Sequence, residues 1–106
     1  MTVKCICIDD KGKPAVIPSH LWIKEGETYH MTCIYWHPKQ GVQGCDLLEI
    51  ALDDSCAPYE TYQLRRFAIN KDDLNDFFEL VKLSTELDDV DLEQLLEQSK
   101  LEVIES

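Results

Sequence analysis

Residues 28–37 have the sequence TYHMTCIYWH, and over residues 29–36 their side chains alternate between two sets. The two sets are Tyr29, Met31, Cys33 and Tyr35, and His30, Thr32, Ile34 and Trp36. Alternation with a period of two is typical of a β-strand. Because both sets contain large apolar side chains, the pattern predicts a long strand with one face on the core and part of the other face covered.

Further strands are predicted on both sides of this one. Residues 3–8 are rich in β-branched residues and cysteine and are followed by a turn-forming sequence. Downstream, strands are predicted at residues 45–52 and 65–69. The adjacent Leu47 and Leu48 break strict alternation, which indicates a β-bulge or burial on both faces.

After residue 69 the apolar period changes to that of an α-helix. A first helix is predicted with Asp72 as its N-cap and one apolar stripe, formed by Leu74, Phe77, Phe78 and Val81. A second helix is predicted to begin near Asp88 or Asp89, with apolar residues at helical spacing, namely Leu92, Leu95, Leu96 and Val103. The sequence therefore predicts an α+β chain with a β-rich part at 1–69 and an acidic helical extension at 70–106, packed on it as a single domain.

The charge is divided in the same way as the predicted structure. The 106 residues carry a net charge of -11, of which residues 1–69 contribute -2 (seven basic and nine acidic residues) and residues 70–106 contribute -9 (three basic and twelve acidic residues). Binding to nucleic acid or to an anionic membrane requires a basic surface. The charge therefore argues against both and favours a protein partner with a basic surface.

The cysteines and the first residues indicate a cytoplasmic protein. The apolar run at residues 3–8 is too short for a signal peptide, and no stretch has the length of a membrane span. The odd number of cysteines, mostly within apolar runs, is typical of reduced core residues and not of a disulfide framework. They are Cys5, Cys7, Cys33, Cys45 and Cys56.

Several motifs together resemble a known family. Residues 3–6 (VKCI) open the first strand, residues 26–31 (GETYHM) enter the second, and Arg66-Phe67 lie in the last. This order resembles small Src-homology-3-like barrels encoded by bacteria and their phages, over roughly residues 2–69. The resemblance implies a small antiparallel β-barrel and a role in interaction, and the two C-terminal α-helices predicted above would follow this barrel. It carries no catalytic residue, and it does not extend to the acidic helical part.

Metal binding and catalysis are weighed against the spacing of the cysteines and histidines. Cys5 and Cys7 share one face of a predicted strand, with His30, Cys33 and His37 nearby in sequence, and these residue types bind zinc. However, His30 and Cys33 point to opposite faces of a strand, and no Cys-x-x-Cys knuckle is present. The flanks of the cysteines are apolar or acidic, which disfavours a reactive thiolate. We therefore predict no metal, no cofactor and no enzymatic activity, and leave a site at Cys5 and Cys7 as the alternative.

Candidate binding residues come from two regions. Aromatic side chains exceed what one small core buries, and a surface groove is predicted at Trp36, Tyr59 and Tyr62. The same three residues are alternatively the platform on which the C-terminal helix docks. The acidic helical face supplies the other candidates, which are Asp88, Asp89, Asp91, Glu93 and Glu97.

These observations predict a non-enzymatic protein-binding module that uses its acidic helical face. The resemblance to phage-encoded barrels implies an inhibitor from a phage or mobile element. Because carboxylates spaced along helices can imitate a phosphate backbone, the predicted target is a host nucleic-acid-handling or defence protein. Two alternatives stay open. One is a structural homo-oligomer with a housekeeping role, in which the last helix pairs with its copy in a homodimer. The other is a toxin-neutralising immunity protein.

Overall fold

The computed structural model describes residues 1–37, 39, 41–85 and 90–105. These residues form one sheet and two α-helices. The strands are β1 Val3–Cys7, β2 Thr28–His37, β3 Val42–Leu47, β4 Tyr62–Gln63, β5 Phe67–Asn70 and β6 Glu102–Ile104. The helices are α1 Leu74–Thr85 and α2 Leu92–Ser99, and single 3₁₀ turns lie at Ser19–Leu21, Asp54–Cys56, Leu64–Arg66 and Lys71–Asp73.

The six strands form an open sheet in the order β4-β3-β2-β1-β5-β6. All neighbours are antiparallel except β5 and β6, which are parallel. The predicted α+β class is confirmed. The strands of the predicted small β-barrel do not close, because β4 and β6 remain as two edges with no pairing between them among the described residues. In the same part of the chain, no helix is long and apolar enough to cross a membrane.

The long predicted strand is confirmed as β2, but its alternation is interrupted in the middle. The register with β3 shifts between Met31 and Cys33, so that one extra residue lies in β2. The buried set consequently changes from Tyr29 and Met31 to Ile34 and Trp36. The irregularity lies in β2 and not in β3, where the adjacent leucines had indicated it.

The third strand also differs from its predicted bounds. It begins at Val42 and ends at Leu47, instead of running over residues 45–52. Leu48 is 64% exposed, so the pair of leucines reflects the end of a strand and not burial on both faces. The amide of Leu48 donates to the carbonyl of His30 at 2.8 Å, which anchors the exit from β3.

One face of the sheet carries the core. Cross-strand partners lie on the same face, and the register pairs Val3 with Met31 and Cys7 with Phe67, all of them buried. Side chains of both helices join the same hydrophobic cluster, including Phe77, Val81 and Leu95, each fully buried. Residues from both predicted parts of the chain therefore share one core.

The entry into α1 corrects one predicted cap. The chain leaves β5 through the 3₁₀ turn Lys71–Asp73, and the side chain of Asn70 accepts a hydrogen bond from the amide of Asp72 at 2.9 Å. Asn70 is thus the capping residue, because the 3₁₀ turn adds residues ahead of the helix that an α-helical period does not anticipate.

The second helix is shorter than predicted. Asp91 is its N-cap and accepts from the amide of Gln94 at 3.2 Å, whereas the predicted start at Asp88 or Asp89 lies outside the described residues. Lys100 ends the helix in the left-handed conformation (φ 62°). Val103 was predicted in this helix but lies in β6, opposite Ile69. Its spacing from Leu96 fits a helix, and only Lys100 and Leu101 separate the two elements.

Candidate functional site

Trp36 lies under α2 and not on the surface. Its side chain is buried, and its indole Nε1 donates a hydrogen bond to Gln98 Oε1 of α2 at 3.1 Å. Of the two roles that the sequence left open for Trp36, this contact supports the platform for the C-terminal helix.

Tyr59 and Tyr62 do lie together on one groove, with Trp22 as a third aromatic residue. Tyr62 is buried, donates through its hydroxyl to the Leu21 carbonyl at 2.7 Å, and has its ring centroid 6.3 Å from that of Trp22. Tyr59 is 44% exposed. The groove has a volume of about 250 Å³ and also contacts Ile17. We call it the aromatic groove, defined by Ile17, Trp22, Tyr59 and Tyr62.

Arg66 fixes the floor of the aromatic groove. Its guanidinium lies 5.0 Å from the centre of the Trp22 ring, and its Nη1 donates to the carbonyls of Asp9 (3.3 Å) and Lys11 (2.6 Å). The residue is only 6% exposed, and this burial lowers the pKa of Arg66, although the guanidinium remains charged. Arg66 therefore pins the long β1–β2 loop to the end of the sheet. Sequence reasoning missed it, since the Arg65-Arg66 pair was assigned to a strand.

A second groove adjoins the first along β4. It has a volume of about 370 Å³ and is lined by polar and cationic residues, among them Gln43, Gln63, Arg65, Gln98 and Lys100. We call it the cationic groove, defined by these five residues. Both grooves contact Gln63 and Arg65, so they meet at one short edge strand. No sequence pattern predicts the cationic groove, because its residues come from β3, β4, a 3₁₀ turn and the end of α2.

The open face of the sheet carries a small titratable cluster. The Tyr35 hydroxyl donates to Asp46 Oδ2 at 2.7 Å, and half-buried Cys33 lies beside them. The hydrogen bond to Asp46, followed by that to Cys33 and by burial, raises the pKa of Tyr35 far above its usual value. Tyr35 is therefore held as a neutral hydrogen-bond donor across the β2–β3 pair.

The burial of the cysteines suits them to packing in the core and not to reaction. Burial raises the pKa of Cys5 to about 12 and raises that of Cys45 well above its usual value. Such thiols are poor nucleophiles, because the thiolate is the reactive form. Among the described residues, no three or more His, Cys, Asp or Glu side chains are grouped so as to hold a metal ion.

His30 and Glu49 form a local clamp that the sequence did not predict. Glu49 Oε1 accepts from the His30 amide at 2.8 Å, and Glu49 Oε2 lies 2.6 Å from His30 Nδ1. Partial burial raises the pKa of Glu49, but the hydrogen bonds from His30 outweigh it and leave that pKa below its usual value. The clamp joins the segment after β3 to the start of β2.

The acidic candidates of α2 are on the surface. Asp91, Glu93 and Glu97 are all exposed, whereas Asp88 and Asp89 lie outside the described residues. In residues 70–85 and 90–105, the salt bridge found is the one between Lys82 and Glu79 at 3.9 Å. The apolar side of α2 is already occupied, since Leu95 is fully buried and its two leucine neighbours pack against the same core.

Comparison with known proteins adds no relative. No protein-family model, no curated protein and no solved structure matches this chain.

Proposed function

We propose that this protein is a cytoplasmic, non-enzymatic binding module whose acidic helical face engages the basic surface of a protein partner. The observation that carries the proposal is the arrangement of α2, with Leu95 fully buried against the sheet and Asp91, Glu93 and Glu97 exposed on the remaining surface. We define the acidic helical face by these three carboxylates. They have no salt-bridge partner within the part of the chain that the structure describes.

The electrostatics of this face suit fast association with a basic protein. Unpaired exposed carboxylates create a negative potential that raises the rate of encounter with a positive surface. Glu93 and Glu97 are four residues apart on one helix, so their side chains are neighbours on the same side. A row of such charges imitates the phosphates of a nucleic acid, and a host nucleic-acid-handling or defence protein is the partner class that we propose, with a phage or mobile element as the source of the inhibitor.

The alternative of a homodimer through the last helix has less support. The apolar residues of α2 pack against the sheet within the same chain, which leaves them little surface to offer to a second copy. A toxin-neutralising immunity protein would use the same acidic face against a basic toxin. It differs from the proposed inhibitor only in its target.

A relationship to small Src-homology-3-like barrels is also part of this proposal. It is supported by the meander β1-β2-β3-β4, the 3₁₀ turn Leu64–Arg66, and the return of β5 to pair with β1. Such barrels commonly serve as interaction modules, which agrees with a binding role.

The experiment compares two sets of neutral substitutions in the full chain. The first carries Asp91→Asn, Glu93→Gln and Glu97→Gln, and its Asn retains the ability to cap α2. The control removes three exposed carboxylates elsewhere, with Glu25→Gln, Glu27→Gln and Asp54→Asn. Partners are captured from a lysate of the source cell at low and at high salt and quantified by mass spectrometry.

We expect the first variant to lose the partners that the unmodified protein captures, and we expect the control to retain them. High salt should release the same partners, because screening weakens exposed charge pairs. Equal capture by both variants would contradict the proposed acidic interface.

A further inference from the structure

The residues that line the two grooves beside β4 differ in charge from the chain as a whole. Acidic residues outnumber basic residues by 21 to 10. Nevertheless, none of the described residues that line the aromatic groove or the cationic groove is acidic, while Arg65, Arg66 and Lys100 are basic. The lining of these two grooves is therefore opposite in charge to the chain as a whole, although Asp9 lies 3.1 Å from Arg65 and 3.6 Å from Arg66, and an adjoining groove at β4 includes Glu60.

The backbone conformation of Lys100 supports a binding role for the positive charge of the cationic groove. It occupies the left-handed region (φ 62°, ψ 16°), which glycine adopts without cost and other residues adopt at a cost. A lysine at this position does complement the dipole of α2. It also lines the cationic groove, at a helix end where glycine would have been the less strained choice.

Arg65 already holds a carboxylate within the chain. Its Nη1 donates to Asp9 Oδ2 at 3.1 Å, although the side chains are 45% and 35% exposed. A guanidinium has five donors in a planar fork, so this contact leaves most of them free for a second carboxylate. The contact with Asp9 thus shows that Arg65 binds a carboxylate group at this site.

The position of the grooves favours an extended ligand. Both adjoin β4, whose outer edge pairs with no other strand among the described residues. An edge strand can receive an extended segment through main-chain hydrogen bonds. Side chains of a segment at this edge would be near the Trp22 and Tyr59 rings of one groove and the amides of Gln43, Gln63 and Gln98 of the other.

We propose that the aromatic and cationic grooves together bind an extended acidic segment of a partner protein. Its carboxylates contact Arg65 and Lys100, and an apolar side chain of the segment packs on Trp22 and Tyr59. This site is opposite in charge to the acidic helical face, and its Gln98 and Lys100 lie at the end of the same helix. The protein would therefore present two oppositely charged sets of residues to different partners or to different parts of one partner.

The test uses a defined probe on the full-length chain. The probe is a fluorescein-labelled eight-residue peptide with six acidic residues and two leucines, and its counterpart carries the corresponding amides in place of the acids. Fluorescence anisotropy measures the dissociation constant, and ¹⁵N NMR shows which backbone amides shift. We expect the acidic peptide to bind, the amide peptide to bind much more weakly, and the largest shifts to fall at residues 59–66 and 98–100.

Three variants make the assignment specific. Arg65→Gln with Lys100→Gln should weaken binding by about tenfold, as expected for the loss of two charge pairs at partly exposed sites. Lys24→Gln removes an exposed cation away from the grooves and should leave binding unchanged. Asp9→Asn removes the carboxylate that Arg65 now holds and should tighten binding, a result that damage to the fold would not produce. Circular dichroism verifies that each variant is folded.

Several results would overturn the proposal. Equal affinity for the acidic and amide peptides, or unchanged affinity in the double variant, would exclude recognition of carboxylates at these residues. Binding of AMP or inorganic phosphate that depends on Arg65 and Lys100, with no peptide binding, would instead identify a small-anion site. Sedimentation showing a dimer that Arg65→Gln dissociates would identify a second copy of this chain as the occupant.

Discussion

The substitution Gly44→Ala tests whether β4 has the close approach that forms both grooves. A Cβ atom added at Gly44 would lie 2.9 Å from Thr61 Cβ and 3.1 Å from the Tyr62 carbonyl oxygen, with Thr61 Oγ1 closer still. The hydroxyl can rotate away, but Cβ and the carbonyl move only with the backbone of β4. Overpacking of this kind costs about 1–3 kcal/mol, and replacing glycine restores about 0.4–1 kcal/mol through the unfolded chain. The net expectation is a loss of about 0.5–2 kcal/mol in the free energy of unfolding.

Urea unfolding followed by circular dichroism measures this loss, and a double-mutant cycle identifies its cause. Thr61→Gly removes both side-chain atoms that the new methyl group would meet. We expect Gly44→Ala to cost less in the Thr61→Gly background than alone, with a coupling of at least about 0.5 kcal/mol, as for residues in direct contact. A Gly44→Ala protein that is as stable as the original, or a cycle without coupling, would refute the close approach.

Leu95→Ala should lower the free energy of unfolding in urea by about 2–5 kcal/mol, because Leu95 is fully buried. The control Leu83→Ala, at a 67% exposed position of α1, should change it by less than about 0.5 kcal/mol. The pKa of Glu49 is lowered in the folded protein, so its contribution to stability is complete above its unfolded pKa and is lost as the pH falls through the folded value. Stability should therefore decrease with acidification below about pH 4.3, and less steeply in Glu49→Gln, which keeps one acceptor for His30; identical acid limbs would contradict the clamp. In iodoacetamide labelling of the native protein, half-buried Cys33 should react first and the four buried cysteines only on unfolding, as mapped by mass spectrometry.

The elements with a clear period were predictable from the sequence. β2 has the predicted bounds, β1 differs by one residue, and the apolar stripe at Phe77 and Val81 is buried as its helical spacing indicates. These features depend on local patterns, and local patterns are what a single sequence records. The burial of Tyr62 and the exposure of the α2 carboxylates are harder to predict from the sequence, since both depend on how the elements pack against one another.

The features that escaped prediction have non-local causes. The bulge in β2 depends on its register with β3, and β6 exists only because β5 offers an edge to residues 102–104. Arg66 is buried because the long β1–β2 loop supplies two carbonyls far away in sequence. The cationic groove gathers residues from four separate elements. No spacing rule connects such positions, because only the folded sheet brings them together.

Because residues after Asn70 contribute to the sheet and to the core, the function of this segment cannot be tested by truncation alone. Removing everything after Asn70 would delete β6 from the sheet and expose the core surface now covered by Phe77, Val81 and Leu95. Loss of binding by a truncated chain would then report unfolding as readily as the loss of an interface. Neutral substitutions on the surface of α2 leave that packing intact, and only they can separate the charge of this segment from its structural role. Neutralising the α2 carboxylates and the pair Arg65 and Lys100 in turn would show whether the two sets of charges act independently.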